Sequence, residues 1–356
     1  MPEGIAGGLE GVVAAETVLS DVDGERGVLL IRGVPLDRLA RCGFEAAVAL
    51  LWNGVVAERL DAPRIRILFG EARAAAFQDL KRWLPAARGR SVPEGLRLAL
   101  AALPDASAPA PVAATLPVAL AALARVQRGQ QPVAPDPQRT TAEDFLRMLR
   151  GEPAEPRESE ALDVYLATVI DHGLNASTFA ARVVASTRAS LSATATAAYC
   201  ALTGPLHGGA PGPVLDMLDA IGSRERIESW LERALDEGQR LMGFGHRVYR
   251  VRDPRAEALK AALLGLDPRA GRLPFAQEVE RQALALLKRR KPGRALETNV
   301  EFYTALLLDA LGLPRETFVS VFALSRIAGW IAHAFEQRAT GRLIRPASRY
   351  VGPVAA

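Results

Sequence analysis

In Thr140-Thr141-Ala142-Glu143-Asp144-Phe145-Leu146-Arg147-Met148-Leu149, a hydroxyl residue stands three positions ahead of a glutamate, and an apolar face follows. This is a capping box. The Thr140 hydroxyl can accept from the backbone N–H of residue 143, while the Glu143 carboxylate turns back to the N–H of Thr140. Phe145, Leu146, Met148 and Leu149 then recur with the helical period rather than alternating. A second segment repeats the pattern: Ser223 precedes Ile227, Trp230, Leu231, Ala234 and Leu235, a stripe at helical spacing that stops at Gly238. The expected fold class is mainly α.

Outward from these helices the same texture holds. From Asp37 onward, stretches rich in Ala, Leu and Arg alternate with Pro/Gly punctuation, and Asp105–Pro111, Gly129–Pro137 and Gly151–Pro156 read as loops. Only the beginning differs. There Ser20-Asp21-Val22-Asp23-Gly24 precedes Val28-Leu29-Leu30-Ile31, an Asp-Gly pair beside a branched apolar run, which predicts a small β-hairpin.

The 356 residues are 49% hydrophobic and 24% charged, enough for a large core; at roughly 150 residues per domain, two domains are expected. Net charge is +4, and the basic residues are almost all Arg, with only Lys81, Lys260, Lys288 and Lys291 besides. The arginines are dispersed among acidic residues rather than gathered in an arm, which argues against a nucleic-acid partner. Cys42 and Cys200 cannot build a disulfide framework or a thiolate zinc site, so a reducing, cytoplasmic setting is expected. Met1–Glu10 lacks the order of a signal peptide. Ala113–Ala124 is short and holds Pro117, and Phe318–Phe335 carries Arg326 midway, so no membrane span is expected.

All four histidines fall in the second half. His172 lies in Asp171-His172-Gly173, His207 in Gly204-Pro205-Leu206-His207-Gly208-Gly209, His246 in Gly243-Phe244-Gly245-His246, and His333 follows Gly329-Trp330-Ile331-Ala332. A lone histidine is more often structural than catalytic. Glycine-rich turns, however, let a substrate approach closely. No His-x-x-x-His spacing occurs, so a metal site is not expected. The loop Gly204–Gly212 lacks both nucleotide-binding fingerprints; a histidine there suits a hydrogen-bond donor to a small substrate.

Arg250 follows His246 by four residues and would share its face on a helical turn. Asp253-Pro254-Arg255 reads as a helix start that sets Arg255 at a positive helix end suited to an anion, although a solvated basic turn is the plainer reading. Glu301 stands inside the apolar run Asn299-Val300-Glu301-Phe302-Tyr303, as a general base raised by burial or as one half of an ion pair. Arg326 and Arg345 add guanidinium groups fit for bidentate carboxylate recognition. Jointly these describe a site for a small polycarboxylate undergoing acid–base chemistry at carbon.

At this point the motifs are recognisable: the chain resembles the citrate synthase family over nearly its whole length, most densely in 171–186, 204–210, 242–255 and 326–337. The resemblance implies a helical homodimer with a large domain (1–207 plus 312–356) and a small domain (208–311) that closes over the site. It implies condensation of acetyl-CoA with oxaloacetate and water to citrate and CoA, with no cofactor. Carried over by position, His172 binds oxaloacetate, His207 holds the thioester carbonyl and His246 polarises the ketone. Arg255, Arg326 and Arg345 hold the carboxylates, Arg345 from the other subunit; Arg250 meets CoA phosphate, and Glu301 removes the methyl proton. The sequence departs from the family pattern at three places. Glu301 stands where the family typically keeps Asp, Pro211 follows Ala210 where many relatives have Asn, and the His-Pro-Met motif is missing near Ser91–Pro93. Two neighbouring functions share the motifs: 2-methylcitrate synthase, which uses propionyl-CoA, and a ligand-binding or regulatory homologue without turnover.

Overall fold

The capping box is made. In the computed structural model, Glu143 N–H donates to Thr140 Oγ1 at 3.3 Å, Thr140 N–H donates to Glu143 Oε2 at 2.9 Å, and the helix runs Thr141–Arg150. The structure describes residues 8, 9, 11–208, 211–266 and 272–353, and among these it has fifteen α-helices and one three-stranded sheet. Gly209 and Ala210 of the second histidine loop, and Glu10 near the start, lie outside the described residues.

The sheet is the predicted hairpin with a short third strand. β1 (Ser20–Asp23) pairs antiparallel with β2 (Val28–Ile31), Ser20 opposite Ile31, and β2 pairs with β3 (Val34–Pro35). Asp23 closes the turn by accepting from Glu25 N–H (3.1 Å) and Arg26 N–H (2.9 Å). Just before the hairpin, Glu336 accepts from Val18 N–H (2.9 Å) and the Thr17 hydroxyl (3.2 Å), tying the start of the chain to its last helix.

Two helices correct the sequence reading. The segment expected to be a loop to Pro111 is already helical at Pro109, because proline loses no hydrogen bond in a first turn. That helix, Pro109–Gln127, and the stretch Arg315–Thr340 are each long and apolar enough to cross a membrane by length and composition. Instead they pack inside the protein, 72% and 83% buried, so their apolarity serves the core. Trp52 Nε1 donates to Ala328 O at 2.9 Å, fastening an early helix, Phe44–Trp52, to the helix Phe318–Thr340. The Arg73–Asp144 ion pair (2.9 Å) is also fully buried, and Asp144 accepts from Asp136 N–H, so the long loop before Thr140 is pinned rather than slack.

Candidate functional site

His246 sets the geometry. Its Nδ1 accepts from the backbone N–H groups of Val248 (3.0 Å) and Tyr249 (3.1 Å). This leaves the ring proton on Nε2 when the ring is neutral, and burial, with Arg255 beside it, lowers the His246 pKa to about 4. Arg255 Nη2 lies 3.3 Å from that same Nε2. Both atoms are donors, so they do not satisfy each other; they converge on a place for an oxygen acceptor. The tight turn also overrules the shared helical face expected for His246 and Arg250, because 246–252 is irregular rather than helical. Tyr249, buried, takes the place by His246 instead, with ring centroids 4.9 Å apart, and Arg250 points outward near Glu25 (4.0 Å).

The helix Pro254–Leu266 begins where expected, and Asp253 does more than cap it. Its carboxylate accepts from Arg255 N–H (3.0 Å), from Arg255 Nε and Nη2 (3.0 and 2.8 Å), and from Val300 N–H (3.1 Å). One buried side chain thus aims Arg255 and holds the start of the helix Val300–Ala310, which carries Glu301. Asn299 caps that helix through Glu301 N–H (3.0 Å) and donates to Gly245 O (2.8 Å), drawing Glu301 toward the His246 loop.

Glu301 is enclosed, and among the described residues no ion pair or hydrogen bond takes up its Oε2. Burial raises the pKa to about 7 against the opposing pull of Arg255 and Arg326. Arg326 is buried on the helix Phe318–Thr340; Nε donates to Val169 O at 2.8 Å, and Nη2 has no partner. A cation and a carboxylate, each with one enclosed unmatched atom, mark a place built for a ligand.

His172 joins from a third segment, with Nε2 3.1 Å from Tyr249 Oη and its ring centroid 5.6 Å from that of His246. Burial, then Arg255 and Arg326, push its pKa well below the usual value, so it is neutral. Behind it, Asp171 Oδ2 accepts from the Ser20 hydroxyl (2.5 Å) and lies 3.3 Å from His333 Nε2. Although burial opposes it, His333 holds the Asp171 carboxyl below the usual range. Arg182 donates to His333 Nδ1 (2.8 Å), so this fourth histidine is a buried link in the support of the site. Gly329 makes the approach possible: a Cβ there would fall 2.6 Å from Ile170 O and 2.8 Å from Asp171 Oδ1.

His207 sits in a turn, its Nε2 2.9 Å from Ser177 Oγ, and burial lowers its pKa to about 4. Ser177 Oγ also lies 2.8 Å from Asn175 Oδ1 and accepts from Trp330 Nε1 at 3.3 Å. Asn175 Oδ1 already accepts from Thr178 N–H (3.1 Å), so the hydroxyl proton can turn to His207 without orphaning it. Arg345 is not brought in. It lies exposed on the extended tail beyond Thr340, and among the described residues it makes no contact with the histidines.

The N-terminal hairpin braces the His246 loop from outside. Arg250 N–H donates to Gly24 O at 2.9 Å, and a Cβ on Gly24 would lie 2.3 Å from Val248 O. Gly24→Ala should therefore displace the loop and cut kcat about a hundredfold while leaving the helical circular dichroism unchanged. Steady-state kinetics with normal turnover would show that the hairpin is mere packing.

Tyr249, Ser177 and Asp253's second contact were missed by the sequence reading. Only the Asp-Pro pair gave a signal, and it spoke of a helix start.

The chain is similar to known proteins over nearly its whole length. The family model "Citrate synthase, C-terminal domain" matches residues 8–347. The citrate synthase of Haloferax volcanii is 38% identical over 367 residues, covering 97% of this chain and 95% of that one. Among solved structures, citrate synthase from Thermotoga maritima MSB8 superposes with a TM-score of 0.89 at 33% identity, covering 99% of this chain and 97% of that chain. Citrate synthase from Thermoplasma acidophilum, solved as a ternary complex with carboxymethyl coenzyme A and oxaloacetate, gives a TM-score of 0.86 at 27% identity, covering 98% of this chain and 96% of that chain. With its helical architecture, its histidine loops and its matched length, the chain belongs to the citrate synthase family.

Proposed function

We propose that the protein condenses acetyl-CoA with oxaloacetate and water to give citrate and CoA. The observation that carries this reading is the enclosed Glu301 Oε2, without a hydrogen-bond partner and within the electrostatic reach of Arg255, whose Nη2 converges with His246 Nε2. A thioester methyl group is weakly acidic, so its deprotonation needs a raised base and a donor where charge develops.

Glu301 takes the methyl proton, and His207 hydrogen-bonds the thioester oxygen as it becomes enolic. That role uses the tautomer in which Ser177 donates to Nε2 and Nδ1–H faces substrate. The enol carbon attacks the oxaloacetate ketone, whose oxygen draws on His246 Nε2–H. The two amides on Nδ1 stabilise the electron density left on the ring. Water then cleaves the thioester of the citryl intermediate and frees the CoA thiol. Arg255 and Arg326, with His172, hold oxaloacetate, and Arg250 meets a CoA phosphate.

We further infer a homodimer in which Arg345 completes the partner's site. The exposed tail, with Leu343 57% and Tyr350 72% exposed, supports this. Closure of 208–311 over the rest of the chain would keep water from the enol.

The decisive experiment follows thiol release from acetyl-CoA and propionyl-CoA, with and without oxaloacetate. Oxaloacetate-dependent release, faster with acetyl-CoA, is expected. A preference for propionyl-CoA makes the protein a 2-methylcitrate synthase, and oxaloacetate binding without release makes it a binding protein.

A further inference from the structure

The helix Leu273–Arg290 contributes no residue to the site, yet it carries a buried carboxylate, Glu280, that four donors surround. Oε1 accepts from the Thr298 hydroxyl (2.7 Å) and Arg252 Nη2 (3.0 Å). Oε2 accepts from the Tyr303 hydroxyl (2.6 Å), and Lys260 Nζ stands 3.7 Å away, also over the Tyr303 ring. A buried carboxylate is costly without donors, so this one has a single well-defined position.

The donors come from the segments that carry the proposed chemistry. Arg252 precedes Asp253, which aims Arg255, and ends the loop begun by His246. Thr298 precedes Asn299, the cap of the Glu301 helix, and pairs with Phe244 in an isolated antiparallel bridge. Tyr303 lies two residues beyond Glu301. On a helix, two residues turn the direction by about 200°, so Tyr303 and Glu301 leave opposite faces. Holding Tyr303 from behind fixes the rotation of the helix about its axis, and with it the direction of Glu301.

We propose that Glu280 is a positioning residue: through Tyr303, Thr298 and Arg252 it locks Glu301 against the loop bearing His246 and Arg255. This rests on the reading of Glu301 as the base and His246 as the polarising donor. The longer side chain at 301 has one more torsion than an aspartate, so its helix has to be held more firmly to place the carboxylate equally well.

The test compares Tyr303→Phe, Glu280→Gln and Glu301→Gln with the unaltered protein in kcat, oxaloacetate Kd by calorimetry, and solvent exchange of the acetyl methyl protons. Tyr303→Phe removes one hydroxyl and leaves the charges, so it serves even if Glu280→Gln does not fold. Both should lower kcat and methyl exchange about tenfold to a hundredfold, with oxaloacetate Kd changed less than twofold. Loss of thermal stability with kcat and exchange intact would overturn the proposal and make Glu280 purely structural. Equal losses in kcat and oxaloacetate affinity would also overturn it, because they report general loosening. If the unaltered protein releases no thiol, or Glu301→Gln turns over normally, the functional reading itself has failed.

Discussion

Glu301→Gln should lower kcat by about 10²–10⁴-fold, the usual contribution of a general base, while oxaloacetate Kd stays within about twofold. Glutamine keeps the shape and cannot accept the proton. The effect belongs to the transition state because, in the proposed function, oxaloacetate is held by other groups, Arg255, Arg326 and His172. The pH profile gives the sign. Burial raises the Glu301 pKa to about 7, and only the ionised form is a base. Below that value kcat/KM should fall about tenfold per pH unit; above it the profile should flatten. In Glu301→Gln this ascending limb should disappear. His207 and His246, both near 4, titrate too low to imitate it. Glu301→Asp should also be slower, about tenfold to a hundredfold, because it withdraws the carboxylate by one methylene from a place set by Asn299 and Asp253. A faster Asp variant would show instead that the longer side chain is a defect. Normal turnover in Glu301→Gln would assign the base elsewhere.

Arg326→Lys should weaken oxaloacetate binding by about 2–3 kcal/mol, or about 30- to 150-fold in Kd, by calorimetry. The site uses guanidinium geometry, not charge alone. Nε is committed to Val169 O, the plane lies 4.6 Å from the Phe322 ring centroid, and Nη2 is left for a ligand. A lysine ammonium cannot hold the carbonyl and present a second donor in the same plane. Burial lowers the Arg326 pKa to about 10, with Arg255 adding to the shift and Asp171 opposing it, so the group stays charged at neutral pH and gains from a dianion. An unchanged Kd would refute bidentate recognition there.

The legible parts of the sequence were those with a local cause. Thr140 and Glu143 announced a helix, Asp23-Gly24 a hairpin, and Asp253-Pro254 a helix start, because caps and turns are settled within a few residues. Individual site residues stood out as histidines in glycine-rich turns or as a carboxylate in an apolar run. What joined them was hidden. Ser177 lies 30 positions from His207, and Tyr249 lies 77 from His172; no period in the chain reports such pairs. The shared face of His246 and Arg250 failed for a local reason: the imidazole captured two backbone amides that a helix would have used differently. The helix Pro109–Gln127 was begun too late in the sequence reading for another local reason, since a proline that reads as loop also suits a first helical turn.

The bonds from Thr17 and Val18 to Glu336 also bear on how the chain is made. Synthesis delivers the N-terminal hairpin first, but Asp171, Val248 and Glu336, against which it is held, leave the ribosome much later. Contacts of such long sequence separation form slowly and only after their loops close. The hairpin therefore spends most of translation without its supports, and the apolar helix Pro109–Gln127 waits with it for the late helix Phe318–Thr340. An interrupted product would be no partial enzyme but an exposed core, a substrate for chaperones and proteases.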